Sequence, residues 1–329
     1  MNSDSSFDFI GIGDTVVDAF IKLSIGHIEE SAQGALLCLP YGAKVPYESV
    51  TVVPAVGNSA NAVVSASRLG LKSAIVSFLG DDKHGEDCLE KFRKEKVDTK
   101  FITQEKEKST NYHYVLWQGD DRTILIKHTQ FSVSLPDIGN PKWIYLSSLG
   151  EHTLPFHDEI ADYLEKHKSI KLAFQPGGYQ IKFGKEKLSR IYARTDVFCS
   201  NKEEAETILG IQSDDFKVLL DGIHALGPKI VLITDGPHGA YMKTNEEYYE
   251  PLFPDPKPPL ERTGAGDAFS STFVSYLALG YSPEEAILRA PINSMNVEQH
   301  IGAQEGLLTK DEIENDLKKA PENYKLSTI

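Results

Sequence analysis

The segment Glu261-Arg262-Thr263-Gly264-Ala265-Gly266-Asp267-Ala268-Phe269 is the most informative stretch of the chain, because three small residues precede a strongly apolar helix predicted over residues 268–279. A helix N-terminus presents backbone N–H groups without intrahelical partners and the positive end of the helix dipole. The turn therefore suits a phosphate or a developing negative charge. Asp267 either caps this helix or accepts a proton from a hydroxyl that attacks a phosphoryl group. No Gly-x-x-x-x-Gly-Lys-Ser/Thr stretch occurs, which excludes a P-loop.

On both sides of this segment, short apolar runs alternate with amphipathic stretches. The runs predict buried strands, and the stretches between them predict helices that end near Gly, Pro or polar residues. Predicted strands cover residues 7–12, 73–79, 143–149, 171–174, 197–199 and 230–234. Predicted helices cover residues 60–69, 84–96, 156–167, 185–193 and 214–226. This alternation predicts an α/β fold of βαβ units, with a mostly parallel sheet covered on both faces.

Two segments interrupt this alternation. Residues 44–56 have a strand-forming composition, and residues 110–128 alternate like a hairpin around Gln118-Gly119-Asp120-Asp121. Both predict antiparallel strands outside the parallel core. They form either a small β lid, contributed by segments around residues 19–56 and 108–130, or ordinary edge hairpins.

Two carboxylates, Asp14 and Asp18, follow the first predicted strand. The preceding Gly11-Ile12-Gly13 is not a dinucleotide fingerprint, since Val16 stands where the third glycine is needed. Ligands of open α/β sheets bind at the C-terminal ends of the strands. The carboxylates could accept hydrogen bonds from the hydroxyls of a polyol there. Alternatively, one caps a turn and the other lies on the surface.

The overall composition excludes several classes of protein. The 329 residues include 34 basic and 48 acidic side chains, a net charge of −14, which argues against nucleic-acid and membrane partners. No apolar run approaches the roughly 20 residues of a membrane span. Residues 1–6 lack the features of a signal peptide, and Cys38, Cys88 and Cys199 show no paired spacing. We expect a cytoplasmic protein with neither a disulfide framework nor a zinc site, and the length fits either two domains or one large α/β domain.

These motifs together resemble the ribokinase-like, PfkB-type carbohydrate kinases. Residues 263–269 resemble the family's second signature, and Gly57-Asn58-Ser59-Ala60-Asn61, continuing through residues 66–70 and 80–85, resembles the first. Asn201-Lys202-Glu203-Glu204 and residues 234–240 match further elements in the family's order. The resemblance runs from Gly11 to Ala303. It implies a single domain over residues 1–329, with a doubly wound, mostly parallel sheet, helices on both faces and a small β-sheet lid.

The resemblance also implies an ATP-dependent, Mg²⁺-assisted transfer of the γ-phosphate to a hydroxyl of a sugar. Asp267 is then the base, and the amides of Gly264, Ala265 and Gly266 form the anion hole. The implied acceptor-binding residues are Asp14, Asp18, Gly57 and Asn61, with His113 of the lid as a further candidate. The implied nucleotide-binding residues are Asn201, Thr234, Gly236, Gly239, Asn293, Asn296 and Gly302, and Glu204 is expected to hold Mg²⁺ through water.

The chain departs from the family pattern at three places. Val56 replaces the first glycine of the usual pair, Glu261 replaces the aspartate that commonly opens the second signature, and Gln175-Pro176-Gly177 replaces the usual Asp-Pro-Asn. The long segment between residues 18 and 57 resembles nucleoside-accepting relatives as much as sugar-accepting ones. A nucleoside kinase is therefore an alternative. A catalytically silent sensor is a weaker alternative, because Asp267 is retained. The exposed edges of lid strands make a homodimer through the lid plausible.

Overall fold

The computed structural model describes residues 6–31, 34–119 and 121–329, without the side chain of Asp121. Two parts of the sequence predictions lie outside this description. They are residues 1–5, from which we expect no signal peptide, and Asp120 of the predicted hairpin turn. The strands are β1 (Phe9–Ile12), β2 (Val16–Leu23), β3 (His27–Ser31), β4 (Gly34–Cys38), β5 (Tyr47–Val56), β6 (Ser73–Gly80), β7 (Ile102–Glu105), β8 (Asn111–Gln118), β9 (Asp121–Leu125), β10 (Trp143–Leu146), β11 (Lys171–Phe174), β12 (Val197–Asn201), β13 (Ile230–Thr234), β14 (Ala240–Lys243), β15 (Glu247–Glu250) and β16 (Ser327–Thr328).

The described α-helices connect these strands. They are α1 (Asn58–Arg68), α2 (Lys83–Lys94), α3 (Leu154–Lys166), α4 (Gly178–Phe183), α5 (Ser189–Arg194), α6 (Lys202–Leu209), α7 (Phe216–His224), α8 (Ala265–Ala278), α9 (Pro283–Ile287), α10 (Ala290–Val297) and α11 (Lys310–Leu317). Among the described residues, no helix is long and apolar enough to cross a bilayer. The cytoplasmic location and the absence of nucleic-acid and membrane partners stay predictions.

A large sheet forms the centre of the molecule. Its strands β13, β12, β11, β10, β1, β6 and β7 lie side by side in parallel, and β14, β15 and β16 extend one edge in antiparallel fashion. Successive side chains of β1 pack into separate hydrophobic cores on the two faces of the sheet. Phe9 packs in the core that contains α1 and α8, and Ile10 packs in the core that contains α3 and α7. Burial on both faces explains why these strands are continuous apolar runs. The predicted α/β architecture is confirmed.

A second, smaller sheet comprises β5, β2, β8 and β9, in that order. Strands β2 and β8 are parallel, whereas β5 and β9 pair antiparallel to them. Strands β3 and β4 form a separate hairpin. The register places Asp18 of β2 opposite His113 of β8, so two predicted acceptor-binding residues are neighbours in this sheet.

One predicted helix begins later than expected. Residues 185–193 were expected to be helical, but α5 begins at Ser189, and residues 185–188 form turns between α4 and α5. Gly184 follows α4 with a φ of 87°, a conformation that glycine adopts without steric cost and that ends a helix. The expected strands 143–149 and 7–12 are also shorter, ending at Leu146 and beginning at Phe9.

Arg68 joins the ends of two helices to the C-terminal part of the chain. Its Nε and NH2 groups donate to the two carboxylate oxygens of Glu95, both at 2.9 Å. Its NH1 group donates to the backbone oxygens of Gln304 and Leu307. Burial alone would raise the pKa of Glu95, but hydrogen bonds from Arg68 and Lys91 lower it to about 2. This ion pair therefore ties α1 and α2 to the segment that contains Gln304.

We predict that Glu95→Gln removes a pH-dependent part of the stability. The folded-state pKa of Glu95 lies below its unfolded value of 4.5, so its contribution is complete above pH 4.5 and is lost as the pH falls toward 2. Urea unfolding at pH 7 should show a loss of about 2 kcal/mol for Glu95→Gln, because Arg68 loses its charged partner. The exposed Glu86→Gln is the control. An equal pH dependence for Glu95→Gln and the unmodified chain would contradict the prediction.

Candidate active site

A cavity of about 380 Å³ lies between the C-terminal ends of the large-sheet strands and the smaller sheet. One wall consists of residues at or just beyond the ends of four parallel strands: Ser148, Gln175, Asn201 and Thr234. The opposite wall comes from β8 and β9 and includes His113, Arg122 and Ile124. Parallel strands all present their C-terminal ends at one edge, so residues distant in sequence converge there.

Asp267 lies at this cavity in the first turn of α8, and its side chain is only 8% exposed. The N-cap of α8 is Gly264, so the alternative that Asp267 caps the helix does not describe this structure. Instead, the carboxylate accepts three side-chain amide hydrogen bonds. Oδ1 accepts from Asn58 at 2.7 Å and from Gln175 at 3.1 Å, and Oδ2 accepts from Asn61 at 2.8 Å.

The protonation of Asp267 results from opposing effects. Burial raises its pKa above the usual value of 3.8, and the negative charge of Asp18 raises it further. The hydrogen bonds from Asn61, Asn58 and Gln175 lower the pKa, because they stabilise the ionised form. A carboxylate that is ionised yet poorly hydrated is a suitable proton acceptor.

The N-terminus of α8 lies beside Asp267. The backbone N–H groups of Gly264, Gly266 and Asp267 have no hydrogen-bond acceptor among the described residues. Gly264 has a φ of 85°, and a Cβ there would lie 2.6 Å from the Cα of Ala303. Around Gly266 a Cβ would meet nothing within 4 Å. Unpaired amides at an open helix N-terminus fit an anion, and anion binding at this turn stays a prediction.

Two aspartate–histidine pairs line the acceptor side of the cavity. The Nδ1 atom of His128 lies 3.1 Å from Oδ2 of Asp14, and Nδ1 of His113 lies 3.5 Å from Oδ1 of Asp18. Both contacts are close in distance but lack hydrogen-bond geometry, so Asp14 Oδ2, Asp18 Oδ1 and His128 Nδ1 are buried without a hydrogen bond among the described residues, as is His113 Nε2. Buried polar atoms of this kind normally find a partner, which here would be a ligand.

Gly57 also contributes to the acceptor side. It is the N-cap of α1 with a φ of 114°, and a Cβ there would lie 2.7 Å from the backbone oxygen of Asp14. Glycine at this position therefore lets the start of α1 approach the Asp14 loop closely. The structure thus brings Gly57 and Asp14 to the same wall of the cavity.

A smaller cavity of about 90 Å³ adjoins the first and shares Thr234 and Gly266 with it. Gly236, Gly239 and Ala265 also line it. Three of the predicted nucleotide-binding residues, Thr234, Gly236 and Gly239, therefore lie together beside the N-terminus of α8. An elongated ligand could extend from the smaller cavity past Gly266 toward Asp267.

Asn201 and Glu204 form a reciprocal cap at the start of α6. Asn201 Oδ1 accepts from the backbone N–H of Glu204 at 2.8 Å, and Glu204 Oε2 accepts from the backbone N–H of Asn201 at 3.0 Å. Both side chains line the large cavity. Burial raises the pKa of Glu204, and the charge of Asp267 adds to that effect. The oxygen atoms of this pair suit a hydrated hard cation such as Mg²⁺.

Comparison with known proteins decides the family. A model described as pfkB family carbohydrate kinase matches residues 24–310. The chain belongs to this family. Membership confirms the resemblance noted in the sequence, and it makes the cavity at Asp267 the candidate active site of a pfkB-family kinase.

Similar proteins are named as kinases of different acceptors. The ATP-dependent 6-phosphofructokinase of Thermoanaerobacterium thermosaccharolyticum is 25% identical over 281 residues, which cover 80% of this chain and 85% of that protein. The structure of Arabidopsis thaliana ribokinase complexed with ribose and ATP has a TM-score of 0.80 and 18% identity, covering 95% of this chain and 99% of that one. A nucleoside kinase of Methanocaldococcus jannaschii has a TM-score of 0.76 and 18% identity, with coverage of 95% and 99%. These structures show the ribokinase-like fold and leave the acceptor open.

Three predicted nucleotide-binding residues line neither cavity of the described structure. Asn293 is buried and binds the hydroxyl of Thr272, and Asn296 donates to the backbone oxygen of Gly306. Gly302 lies nearest to side chains of β2 and β5. The two asparagines therefore hold α10 against its surroundings, and a role in nucleotide binding stays a prediction.

The sequence analysis did not assign roles to Asn58, Gln175 and His128, all of which line the cavity. Asn58 lies inside the quoted motif, three residues before Asn61, and a helix places both on the same side. Gln175 was visible only as a departure from the family pattern. His128 lies beyond the end of β9, and nothing in the local sequence pattern distinguishes it.

Gly264→Ala is expected to destabilise the protein. Alanine at a positive φ costs about 1–2 kcal/mol, and the collision with Ala303 adds to that cost. Urea unfolding should show a loss of at least about 2 kcal/mol. Gly266→Ala is the matched control, and its stability should stay within about 0.5 kcal/mol of the unmodified chain. Equal losses in the two variants would contradict the structural difference between these glycines.

Proposed function

We propose that this protein transfers the γ-phosphoryl group of ATP to a hydroxyl of a sugar. The observation that carries the proposal is the position of Asp267, which lies between a polar cavity with unsatisfied carboxylates and the unpaired amides of α8. The carboxylate of Asp267 can then accept a proton beside amides that stabilise negative charge. Membership of the pfkB family supports the same chemistry.

In this mechanism the acceptor binds between the Asp14 and Asp18 side chains and the start of α1. Asp267 accepts the proton of the attacking hydroxyl as its oxygen bonds to the γ-phosphorus. The bond from that phosphorus to the β,γ-bridging oxygen breaks, and ADP leaves with the electron pair. The unpaired amides of Gly264 and Gly266 stabilise the charge on the transferred group. The N–H of Ala265, the third predicted member of the anion hole, donates to the backbone oxygen of Arg262 at 3.4 Å in this structure. Catalysis is mostly positioning and electrostatics, as phosphoryl transfer requires.

Glu204 and Asn201 would hold Mg²⁺ through water, which would neutralise part of the phosphate charge. Arg122 and Arg262 add positive charge to the same cavity. Arg122 comes from β9, and its Nε lies 3.9 Å from Oε1 of the buried Glu261. Glu261 in turn accepts a hydrogen bond from the backbone N–H of Thr263, next to the anion hole. We propose that β9 thereby acts as part of a lid that excludes water.

A nucleoside is the alternative acceptor, and one observation favours it. Val16, Ile124 and Ile126 line the acceptor cavity, and Ile126 is 60% exposed. The hydroxyls of a nucleoside could bind the aspartates while its base covers these apolar side chains. A free sugar would leave them in contact with water. A catalytically silent sensor is less consistent with a carboxylate held by three amides at the α8 N-terminus.

A substrate panel tests the proposal directly. Purified protein with ATP and Mg²⁺ would be incubated with pentoses, hexoses, sugar phosphates and nucleosides, and ADP formation would be measured along with the phosphorylated product. We expect turnover with a sugar. Turnover only with nucleosides would replace the sugar by the alternative acceptor, and ADP formation with none of these acceptors would reject the proposed activity.

Asp267→Asn should lower kcat by about 10²–10⁴-fold, because asparagine has nearly the same shape but cannot accept the proton. The affinity for ATP, measured by calorimetry, should stay nearly unchanged. Asp158→Asn, at an exposed carboxylate on α3, is the control for loss of one negative charge. A kcat close to that of the unmodified chain would reject Asp267 as the base.

We also propose a homodimer through the lid. The register aligns Val52, Ala19, Tyr114 and Leu125 in one row across the smaller sheet. Three members of this row, all except Ala19, are about half exposed. Such an apolar row would be buried by the same row of a second copy. Light scattering should give twice the monomer mass, and Val52→Lys should give monomers. A monomer at all concentrations would contradict this.

A further inference from the structure

The amides around Asp267 are themselves held by a second layer of buried side chains. A glutamine or asparagine side chain can present either its oxygen or its NH₂ group to a neighbour, with almost the same shape. An ionised carboxylate is stabilised only by donors. The direction of each amide therefore matters for the charge on Asp267 as much as its presence does.

Tyr145 of β10 binds the side of the Gln175 amide that faces away from Asp267. Its hydroxyl donates to Oε1 of Gln175 at 2.5 Å, while Nε2 of the same amide donates to Asp267. Tyr145 is fully buried, and burial raises its pKa well above the usual value, so the hydroxyl keeps its proton. A carboxylate only accepts, so the NH₂ group of Gln175 faces Asp267 and its Oε1 faces Tyr145. The hydroxyl of Tyr145 supports this direction by donating to that oxygen.

Gln304 determines the direction of Asn61 in the same way. Its Nε2 donates to the backbone oxygen of Ala55 at 2.6 Å and to Oδ1 of Asn61 at 3.0 Å. A backbone carbonyl can only accept, so it orients the Gln304 amide, and Gln304 then orients Asn61. The NH₂ group of Asn61 is left for Oδ2 of Asp267. Gln304 is buried, and Arg68 binds its backbone oxygen.

We propose that Tyr145 and Gln304 are positioning residues of the phosphotransfer reaction, each fixing the direction of one amide so that both oxygens of Asp267 face N–H donors. The inference rests on the proposed function, in which Asp267 is the base. A reversed amide would present a carbonyl oxygen to the carboxylate and would disfavour its ionised form. Tyr145 and Gln304 would then keep the base ready without touching the substrate.

Other charged groups also act on Asp267, and they are the same in all the variants below. They are Asp18 of β2, Glu204 of α6, and Arg122 and Arg262 at the cavity wall. Cys199 of β12 lies near Tyr145, and burial raises its pKa to about 12, so it stays neutral. The variants remove neutral groups, so a change in the pH profile reports the hydrogen-bond network itself.

The test compares pH profiles of kcat/KM for Tyr145→Phe, Gln175→Leu and the double variant. Tyr145→Phe removes only the hydroxyl and lets the Gln175 amide turn. We expect the acidic limb to move to higher pH by about 1 unit in Tyr145→Phe, because the ionised base is less stabilised. The double variant should match Gln175→Leu alone, since Tyr145 acts only through that amide. KM for ATP should stay unchanged.

Gln304→Leu provides a second, independent variant, and it carries the test if Tyr145→Phe does not fold. The acidic limb of its pH profile should also move to higher pH. This shift should add to that of Tyr145→Phe, because Tyr145 acts through Gln175 on Oδ1 of Asp267 and Gln304 acts through Asn61 on Oδ2. Tyr192→Phe is the matched control. It removes the hydroxyl of a buried tyrosine in the opposite core, and its profile should equal that of the unmodified chain.

Two outcomes would overturn the inference: profiles of Tyr145→Phe and Gln304→Leu that superimpose on that of the unmodified chain, or a double variant shifted well beyond Gln175→Leu. The second would show that Tyr145 acts by general stabilisation of the site. Failure of the proposed function is distinguishable, because the unmodified chain would then form no ADP with any acceptor of the panel. An active chain with unchanged variant profiles rejects only the positioning role.

Discussion

The structure depends on how a buried carboxylate is kept charged. Removing an ionised carboxylate from water costs far more than a typical hydrogen bond contributes, unless charge and donors around it compensate. Asp267 receives three amide hydrogen bonds and lies in the first turn of α8, where the helix dipole favours negative charge. The surrounding fold supplies these donors and holds them in place. The unpaired amides of Gly264 and Gly266 lie beside Asp267 at the same end of α8.

The residues that donate to Asp267 come from distant parts of the chain, because the fold brings the ends of parallel strands together at one edge of the sheet. Asn58 and Asn61 arrive on α1, which packs against α8, and Gln175 follows β11. Gln304 returns from the C-terminal part of the chain and is held there by Arg68, the last residue of α1. Arg68, Gln304, Asn61 and Asp267 therefore belong to one connected hydrogen-bond network. The smaller sheet closes the other side with Arg122 and the two aspartate–histidine pairs.

Sequence-based prediction was accurate where one local force dominates. The parallel strands were found because burial on both faces requires continuous apolar runs, and residues 171–174 and 230–234 match β11 and β13 in full. It was wrong over residues 185–188, which form turns after Gly184, whereas residues 189–193 are helical as predicted. The roles of Asn293 and Asn296 stay predictions, since the described structure shows both in hydrogen bonds that hold α10.

By itself, the sequence determined the α/β class and the family, and it located the glycine-containing turn at residues 263–267 for which anion binding is proposed, because these depend on periodicity and on short contiguous motifs. Only the tertiary structure decided that Asn58 and Gln175 bind Asp267, that His128 pairs with Asp14, and that Tyr145 and Gln304 lie behind the amides. The physical reason is that a hydrogen bond depends on distance and direction in space. Residues 61 and 304 are far apart in the chain and become neighbours only when helices and strand ends pack together.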